Sequence, residues 1–214
     1  MIPVVIYGPT GCGKTNLLRE LERRNLPVID LEKLARHRGS VFGQINISEE
    51  QPPQPAFEES IREQLECFYE KDFIFLEHES LNIGKLRLPD SVIRLYKTGI
   101  PVLLQSSLER RVKIILQEYL PADDSLLLQS LEKLQERTGP EFHAVLKKLL
   151  TQKHYQEFVK EILTYYDQSK KYNPYQEYSL MIMDEGAAAN ADALLRWLRN
   201  HVVASERTTG STLS

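Results

Sequence analysis

Two cysteines in 214 residues, Cys12 and Cys67, are too few for a disulfide framework and have no metal-ligand spacing. A reduced, cytoplasmic setting is therefore expected. No apolar run approaches the length of a membrane span, and Met1 leads straight into a strand-like segment. Neither a membrane association nor a signal peptide is expected. Charge of one sign is scarce too: 27 Lys and Arg against 30 Asp and Glu leave a net −3. No global field draws in nucleic acid, although a local patch would suffice. Glycine is sparse, with 10 in all, yet three of them fall at positions 8, 11 and 13.

Those three belong to Gly8-Pro9-Thr10-Gly11-Cys12-Gly13-Lys14-Thr15, which fits the phosphate-binding loop G-x-x-x-x-G-K-[ST] without a mismatch. Its context is right. Pro3–Tyr7 is apolar and β-prone, as a buried parallel strand is. Asn16 to Arg24 carries Leu17, Leu18 and Leu21 on one helical face. The glycines let backbone N–H groups turn towards a phosphate, and the helix adds its unpaired N–H groups and dipole. Lys14 supplies charge to terminal phosphates, and Thr15 supplies a hydroxyl ligand for Mg²⁺. Gly8, Thr10, Gly11, Cys12, Gly13, Lys14 and Thr15 are thus the first binding residues.

Five segments read as strands: Pro3–Tyr7, Pro27–Leu31, Phe73–Glu77, Pro101–Gln105 and Ser179–Met183. Between them lie helical stripes, Phe57-Ile61-Leu65-Phe68 and Leu108-Val112-Ile115-Leu116-Tyr119 among them. The alternation predicts an α/β fold, a P-loop NTPase-like parallel sheet with helices on both faces. By analogy with P-loop kinases, the expected strand order is 2-3-1-4-5. A helical insertion, about residues 121–175, precedes the last strand. Leu126–Leu134, Phe142–Leu150 and Tyr155–Tyr166 are its helices, and it reads as a lid at one sheet edge. Residues 1–204 are expected to form one domain, ending in a helix from about Ala191 to Val203. Gln51–Pro55 reads as an extended loop, Cys67 as lying on the apolar side of its helix, and 205–214 as a disordered tail.

The third strand ends in Glu77-His78-Glu79-Ser80. Carboxylates at the carboxyl end of a strand beside the phosphate loop hold Mg²⁺ or orient a water. Glu77 and Glu79 share a face in extended chain, either in that role or as solvated acids. Arg36-His37-Arg38-Gly39-Ser40 either grips an anion through arginine's planar fork or forms a solvated basic turn. Arg110 and Arg111 begin the helix after the fourth strand, where P-loop kinases often place phosphate-sensing arginines; by spacing alone they read as surface residues. Lys147, Lys148, Lys153, Lys160, Lys170 and Lys171 read as a solvated face rather than an RNA patch, since Glu141, Glu157, Glu161, Asp167 and Glu177 nearly balance them. Tyr165, Tyr166, Tyr172, Tyr175 and Tyr178 divide between base stacking and packing.

Arg36-His37-Arg38-Gly39-Ser40-Val41-Phe42-Gly43 resembles the His-Arg-Gly-Ser-x-Phe-Gly signature of the P-loop domain of tRNA 2-selenouridine synthase. Gln51-Pro52 through Phe57-Glu58 is similar to that family's Gln-Pro then Phe-Glu segment. Glu77-His78-Glu79-Ser80, with Ile83-Gly84 and Leu88-Pro89, is similar to its Glu-x-Glu-Ser-Arg-x-Ile-Gly stretch. Glu109-Arg110-Arg111-Val112 to Tyr119, and Tyr166-Asp167 with Tyr172, continue the likeness over nearly the whole chain.

The resemblance implies a transferase that replaces the sulfur of a tRNA wobble 2-thiouridine with selenium through an S-geranylated intermediate. Geranyl diphosphate and selenophosphate are the implied donors, with Mg²⁺ on Thr15 and Glu77. Lys14, Arg38, Glu77 and Glu79 are the implied catalytic residues, and His37, Gly39, Ser40 and Ser80 join the ligand site. Leu81 stands where the family has Arg. The family enzyme has an N-terminal rhodanese-like domain with a reactive cysteine, and this chain starts at the phosphate loop. The expectation is one half of a split enzyme that binds tRNA weakly alone and works with a rhodanese-domain protein, a stand-alone module, or a relative with another task. Apart from the resemblance, the loop also suits an ATP- or GTP-dependent small-molecule kinase or NTPase, or a nucleotide-binding regulatory module.

Overall fold

A computed structural model describes residues 1–40, 42–45, 47–119, 124–168 and 177–203. Val41, Lys170, Lys171, Tyr172, Tyr175, the 205–214 tail and the side chain of Tyr119 lie outside the described residues, as does part of the 121–175 insertion. Five parallel strands form the main sheet: β1 Ile2–Tyr7, β2 Val28–Ile29, β3 Phe73–Glu77, β6 Ile100–Gln105 and β7 Leu180–Met183. Their order is β2-β3-β1-β6-β7. Counted over the five expected strands, this is 2-3-1-4-5. Two two-residue strands, β4 Asn82–Ile83 and β5 Leu86–Arg87, form a separate antiparallel hairpin that the sequence did not announce.

Alternation along β1 divides the core. Val4 and Ile6 face α1 (Lys14–Arg23) and α10 (Ala187–Leu198), packing with Leu17, Leu18, Leu21, Ala191 and Leu194. Val5 and Tyr7 face α2 (Leu31–Ala35), α3 (Gln54–Cys67) and α4 (Asp90–Thr98), packing with Leu31, Phe57, Ile61 and Val92. Helices therefore cover both faces. Period-2 patterning in a fully buried strand gives a continuous apolar run, which is why β1 and β3 were legible.

The insertion is helical: α6 Asp124–Glu132, α7 Gln135–Thr138, α8 Pro140–Thr151 and α9 Tyr155–Gln168. It has its own core, with Leu131, Leu134, Leu146 and Leu163 buried. α9 packs on α5 (Leu108–Tyr119). Phe42 and Ile45, from the loop after α2, enter the same core. Among the described residues no helix is long and apolar enough to cross a membrane.

Several boundaries differ from expectation. Leu31 starts α2 rather than ending β2, because the Asp30 carboxylate accepts from the Lys33 N–H at 2.8 Å and caps the helix. Gln54 and Pro55 belong to the first turn of α3, where proline's missing N–H has no cost, so only Gln51–Pro53 is extended loop. The last helix starts at Ala187 and ends in a π turn, Arg199–Val203. Cys67, at the end of α3, is exposed rather than apolar-facing.

Candidate functional site

A cleft of about 250 Å³ opens at the carboxyl ends of β1 and β3. Gly8, Thr10 to Thr15, Arg38, Gly39, Ser40, Glu79 and Ser80 line it, so most of the expected binding residues meet there. α1 starts at Lys14, with no side chain capping it at Gly13. Its first N–H groups are thus oriented as in an anion site. The Lys14 ammonium donates to the Gly8 carbonyl at 3.1 Å. Burial works against that charge, but Cys12, Glu79, Glu77 and Glu32 outweigh it and hold the lysine protonated. Cys12 is buried, and burial pushes its thiol up.

The Arg38–Gly43 loop is a built turn. Arg38 N–H donates to the Gly43 carbonyl at 3.0 Å, and Gly43 N–H to the Ser40 carbonyl at 2.9 Å. The Ser40 hydroxyl accepts from Phe42 N–H at 3.2 Å. Gly39 has φ +66°, and a Cβ there would lie 2.7 Å from the Glu79 carboxylate. At Gly43 a Cβ would lie 2.5 Å from the His37 ring. Both glycines of the signature are thus sterically required. Arg38 reaches the Ile45 and Glu118 carbonyls at 3.3 and 3.4 Å while lining the cleft. His37 is not in the phosphate cleft. Its buried Nδ1 accepts from Gly39 N–H at 3.2 Å, and the residue lines a neighbouring groove. It shapes the turn rather than meeting the anion.

Three carboxylates converge under the loop. The Thr15 hydroxyl lies 3.2 Å from Glu32 and 3.4 Å from Glu77. Glu77 is fully buried, and Glu32 N–H approaches its other oxygen at 3.4 Å. Burial first, and then Glu79, pushes Glu32 up to about 8. Burial, then Glu32 and Glu79, raise Glu77 well above the carboxylate range. Glu79 is raised by burial and lowered by Lys14. Among the described residues no three His, Cys, Asp or Glu side chains form a ready metal cage. Mg²⁺ does not need one, since it keeps waters and takes one or two carboxylates with substrate phosphates. A hydroxyl beside two acids whose carboxyls stay raised despite the nearby Lys14 is a donor set that fits it. Glu32 was missed from the sequence because only the β2–β3 pairing brings it to Glu77.

Arg111 overturns its surface reading. It is 4% exposed, donates through Nε to the Thr10 carbonyl at 2.8 Å, and grips Asp167 of α9 bidentately at 2.6 and 2.9 Å. Arg110 stays half-exposed and pairs with Asp184 behind the loop. Burial raises Asp184, but Arg110, Asn190 and Gly186 N–H outweigh it and the net is lowered. Lys147 and Lys153 are exposed and ion-paired, to Glu132 and Asp124. Tyr165 stacks on Phe142 at 5.6 Å, and Tyr166 lines the cleft. Behind Thr10 and Ser40 a narrow apolar cavity of about 50 Å³ runs into the insertion, walled by Phe42, Ile115, Leu127 and Phe158.

A sequence model of the tRNA 2-selenouridine synthase AAA domain matches residues 2–204. The chain belongs to this family. A tRNA 2-selenouridine synthase of Hydrogenovibrio crunogenus is 42% identical over 114 residues, covering 52% of this chain and 30% of that protein. Another, of Alcanivorax borkumensis, is 30% identical over 227 residues, covering 89% of this chain and 59% of that protein. The chain thus spans about a third of the first relative and three-fifths of the second. Among solved structures, TT1252 from Thermus thermophilus aligns with TM-score 0.47 and 16% identity, over 94% of this chain and 97% of that one. Shikimate kinase from Acinetobacter baumannii aligns with TM-score 0.40 and 18% identity, over 94% of this chain and 96% of that one.

Proposed function

We propose that the chain is the donor-binding part of an enzyme that converts the 2-thiouridine at a tRNA wobble position to 2-selenouridine. The observation that carries this is one cleft in which the phosphate loop meets the Arg38-Gly39-Ser40 turn, with an apolar cavity starting between Thr10 and Ser40. An apolar cavity beside the loop suits the start of a prenyl chain better than a sugar; at about 50 Å³ it is smaller than a geranyl group, so its walls would have to part to admit one. Geranyl diphosphate is therefore the proposed first ligand, and selenophosphate a second for the same loop.

Lys14 and Arg38 stand where a departing diphosphate gains charge, and donors already in place lower that barrier. Thr15 and Glu77, with Glu32 beside them, would hold a Mg²⁺ that neutralises phosphate oxygens. Glu79 sits across from Lys14 and Gly39 and sets the charge of the seam. The transfer joins the thiouridine sulfur to the first carbon of the geranyl group as its bond to diphosphate oxygen breaks. Cys12, buried and with its thiol raised, does not act as a nucleophile. A rhodanese-domain protein is the proposed partner that supplies a reactive cysteine.

Calorimetry with geranyl diphosphate, ATP and GTP tests the reading, together with nucleoside mass spectrometry on thiolated tRNA. Geranyl diphosphate is expected to bind most tightly, and Lys14→Ala to abolish its binding while the chain stays folded by circular dichroism. Steady ATP or GTP turnover with unmodified tRNA would replace this function by a small-molecule kinase or NTPase.

A further inference from the structure

A second groove, of about 1270 Å³, runs on from the phosphate cleft. The two share Gly39, Ser40, His78, Glu79, Ser80 and Arg137 as walls. Whatever occupies the groove therefore meets the donor's phosphates at that seam. We propose that this groove is the acceptor site for one nucleotide of an RNA strand, with the edge of His78 meeting its base and Lys85, Lys133 and Arg137 holding the flanking phosphates. The inference rests on the wobble-uridine reading above.

The side chains set the ligand class. Lys85, Lys133 and Arg137 are exposed on the groove wall, and none has an ion pair or side-chain hydrogen bond among the described residues. Of the acids there, Glu49 is already paired with Arg36 at 2.9 Å, and Glu79 lies at the inner seam. Glu50 remains against three cations. A chain of net charge −3 thus concentrates unpaired positive charge along one groove, which is what local phosphate binding requires.

His78 supplies the base contact. Its ring is held between Tyr7, stacked at a centroid distance of 4.4 Å, and Tyr96 at 4.7 Å. Its faces are used, so it cannot stack on a base as well. Its ring nitrogens have no hydrogen-bond partner among the described residues. An imidazole nitrogen in either tautomer can bond the edge of a base.

The experiment is fluorescence anisotropy with a short anticodon stem-loop RNA at several salt concentrations. The RNA has uridine at the first anticodon position. Wild type, Lys85→Ala/Lys133→Ala and His78→Phe are compared, with geranyl diphosphate affinity as the folding control for the lysine variant and the thermal midpoint for His78→Phe, because His78 also lines the phosphate cleft. Both lysines line only the second groove, so the control stays constant. The double variant is expected to lose about tenfold in RNA affinity and to flatten the salt slope by about 1.5, from two lost phosphate contacts. His78→Phe keeps the stack and is expected to lose several-fold in RNA affinity with the salt slope unchanged, because a base contact releases no counterions. RNA binding by wild type with an unchanged double variant would overturn the groove assignment alone. No RNA binding by wild type at any salt would overturn the wobble-uridine function, and this inference with it.

Discussion

Glu32 shows how one side chain ties the site to stability. Its carboxyl is pushed up to about 8, by burial first and by Glu79 next, against an ordinary value of about 4.3. Between those two values the folded protein binds more protons than the unfolded chain. Stability from this group is therefore fully present at low pH and is lost as pH rises towards 8. Glu32→Gln removes the titration but keeps an acceptor for Thr15. It is expected to raise the thermal midpoint at both pH values, and by several degrees more at pH 8 than at pH 5. Equal gains at both pH values would assign the effect to packing. Arg111 is the second such residue. With Arg111→Ala, Asp167 loses its partner and the Thr10 carbonyl its donor. Because Asp167 is partly exposed, the expected loss is about 1–3 kcal/mol, below that of a fully buried pair. Urea unfolding reads the stability, and calorimetry should show weaker diphosphate binding as well. Lost stability with normal diphosphate affinity would make Arg111 a strut only.

Elements were legible where their patterns are local. β1, β3 and β6 read as apolar runs because both sheet faces are covered, and α8 and α9 read as stripes because one face is buried. The β4–β5 hairpin was not legible. Each strand has two residues, too few for any period, and the hairpin is held from outside. Gln51 donates to the Ala35 and Ile83 carbonyls at 3.1 and 2.9 Å and accepts from Lys85 N–H at 2.8 Å, while Gln54 donates to the Arg87 carbonyl at 2.8 Å. The Gln-Pro segment is therefore structural. The phosphate loop was legible in full. Arg111 and Glu32 were not, because their partners lie 56 and 45 residues away along the chain. His37 was misplaced because sequence spacing does not say which side of a turn a ring takes. Leu81, where the family has Arg, is 59% exposed on the groove wall. Leu81→Arg is expected to strengthen stem-loop RNA binding several-fold through one added phosphate contact. Unchanged RNA affinity and salt slope would place position 81 outside the RNA path.

At the scale of the molecule, the insertion is joined to the phosphate loop and to the Arg38–Ser40 turn by two separate ties. One is Arg111, joining Thr10 of the phosphate loop to Asp167 of α9. The other is Phe42, which leaves the Arg38–Ser40 turn and packs edge-on against Phe158 of α9, with centroids 5.9 Å apart. A diphosphate held by Lys14 and Arg38 contacts the roots of both ties. Binding should therefore restrain the insertion as well as the loop. At a ligand concentration of about 100 Kd, the folded state gains about 2.7 kcal/mol. Native-state hydrogen exchange with and without geranyl diphosphate is expected to show slower exchange at the start of α1 and throughout α8 and α9. Phe42→Ala removes one tie at a cost of about 3–5 kcal/mol, the usual range for a buried Phe. In that variant the added protection should stay at α1 and fade from α8 and α9. Protection confined to the phosphate loop in the wild type would show that the insertion is a fixed wall, and that its closeness to the site transmits nothing.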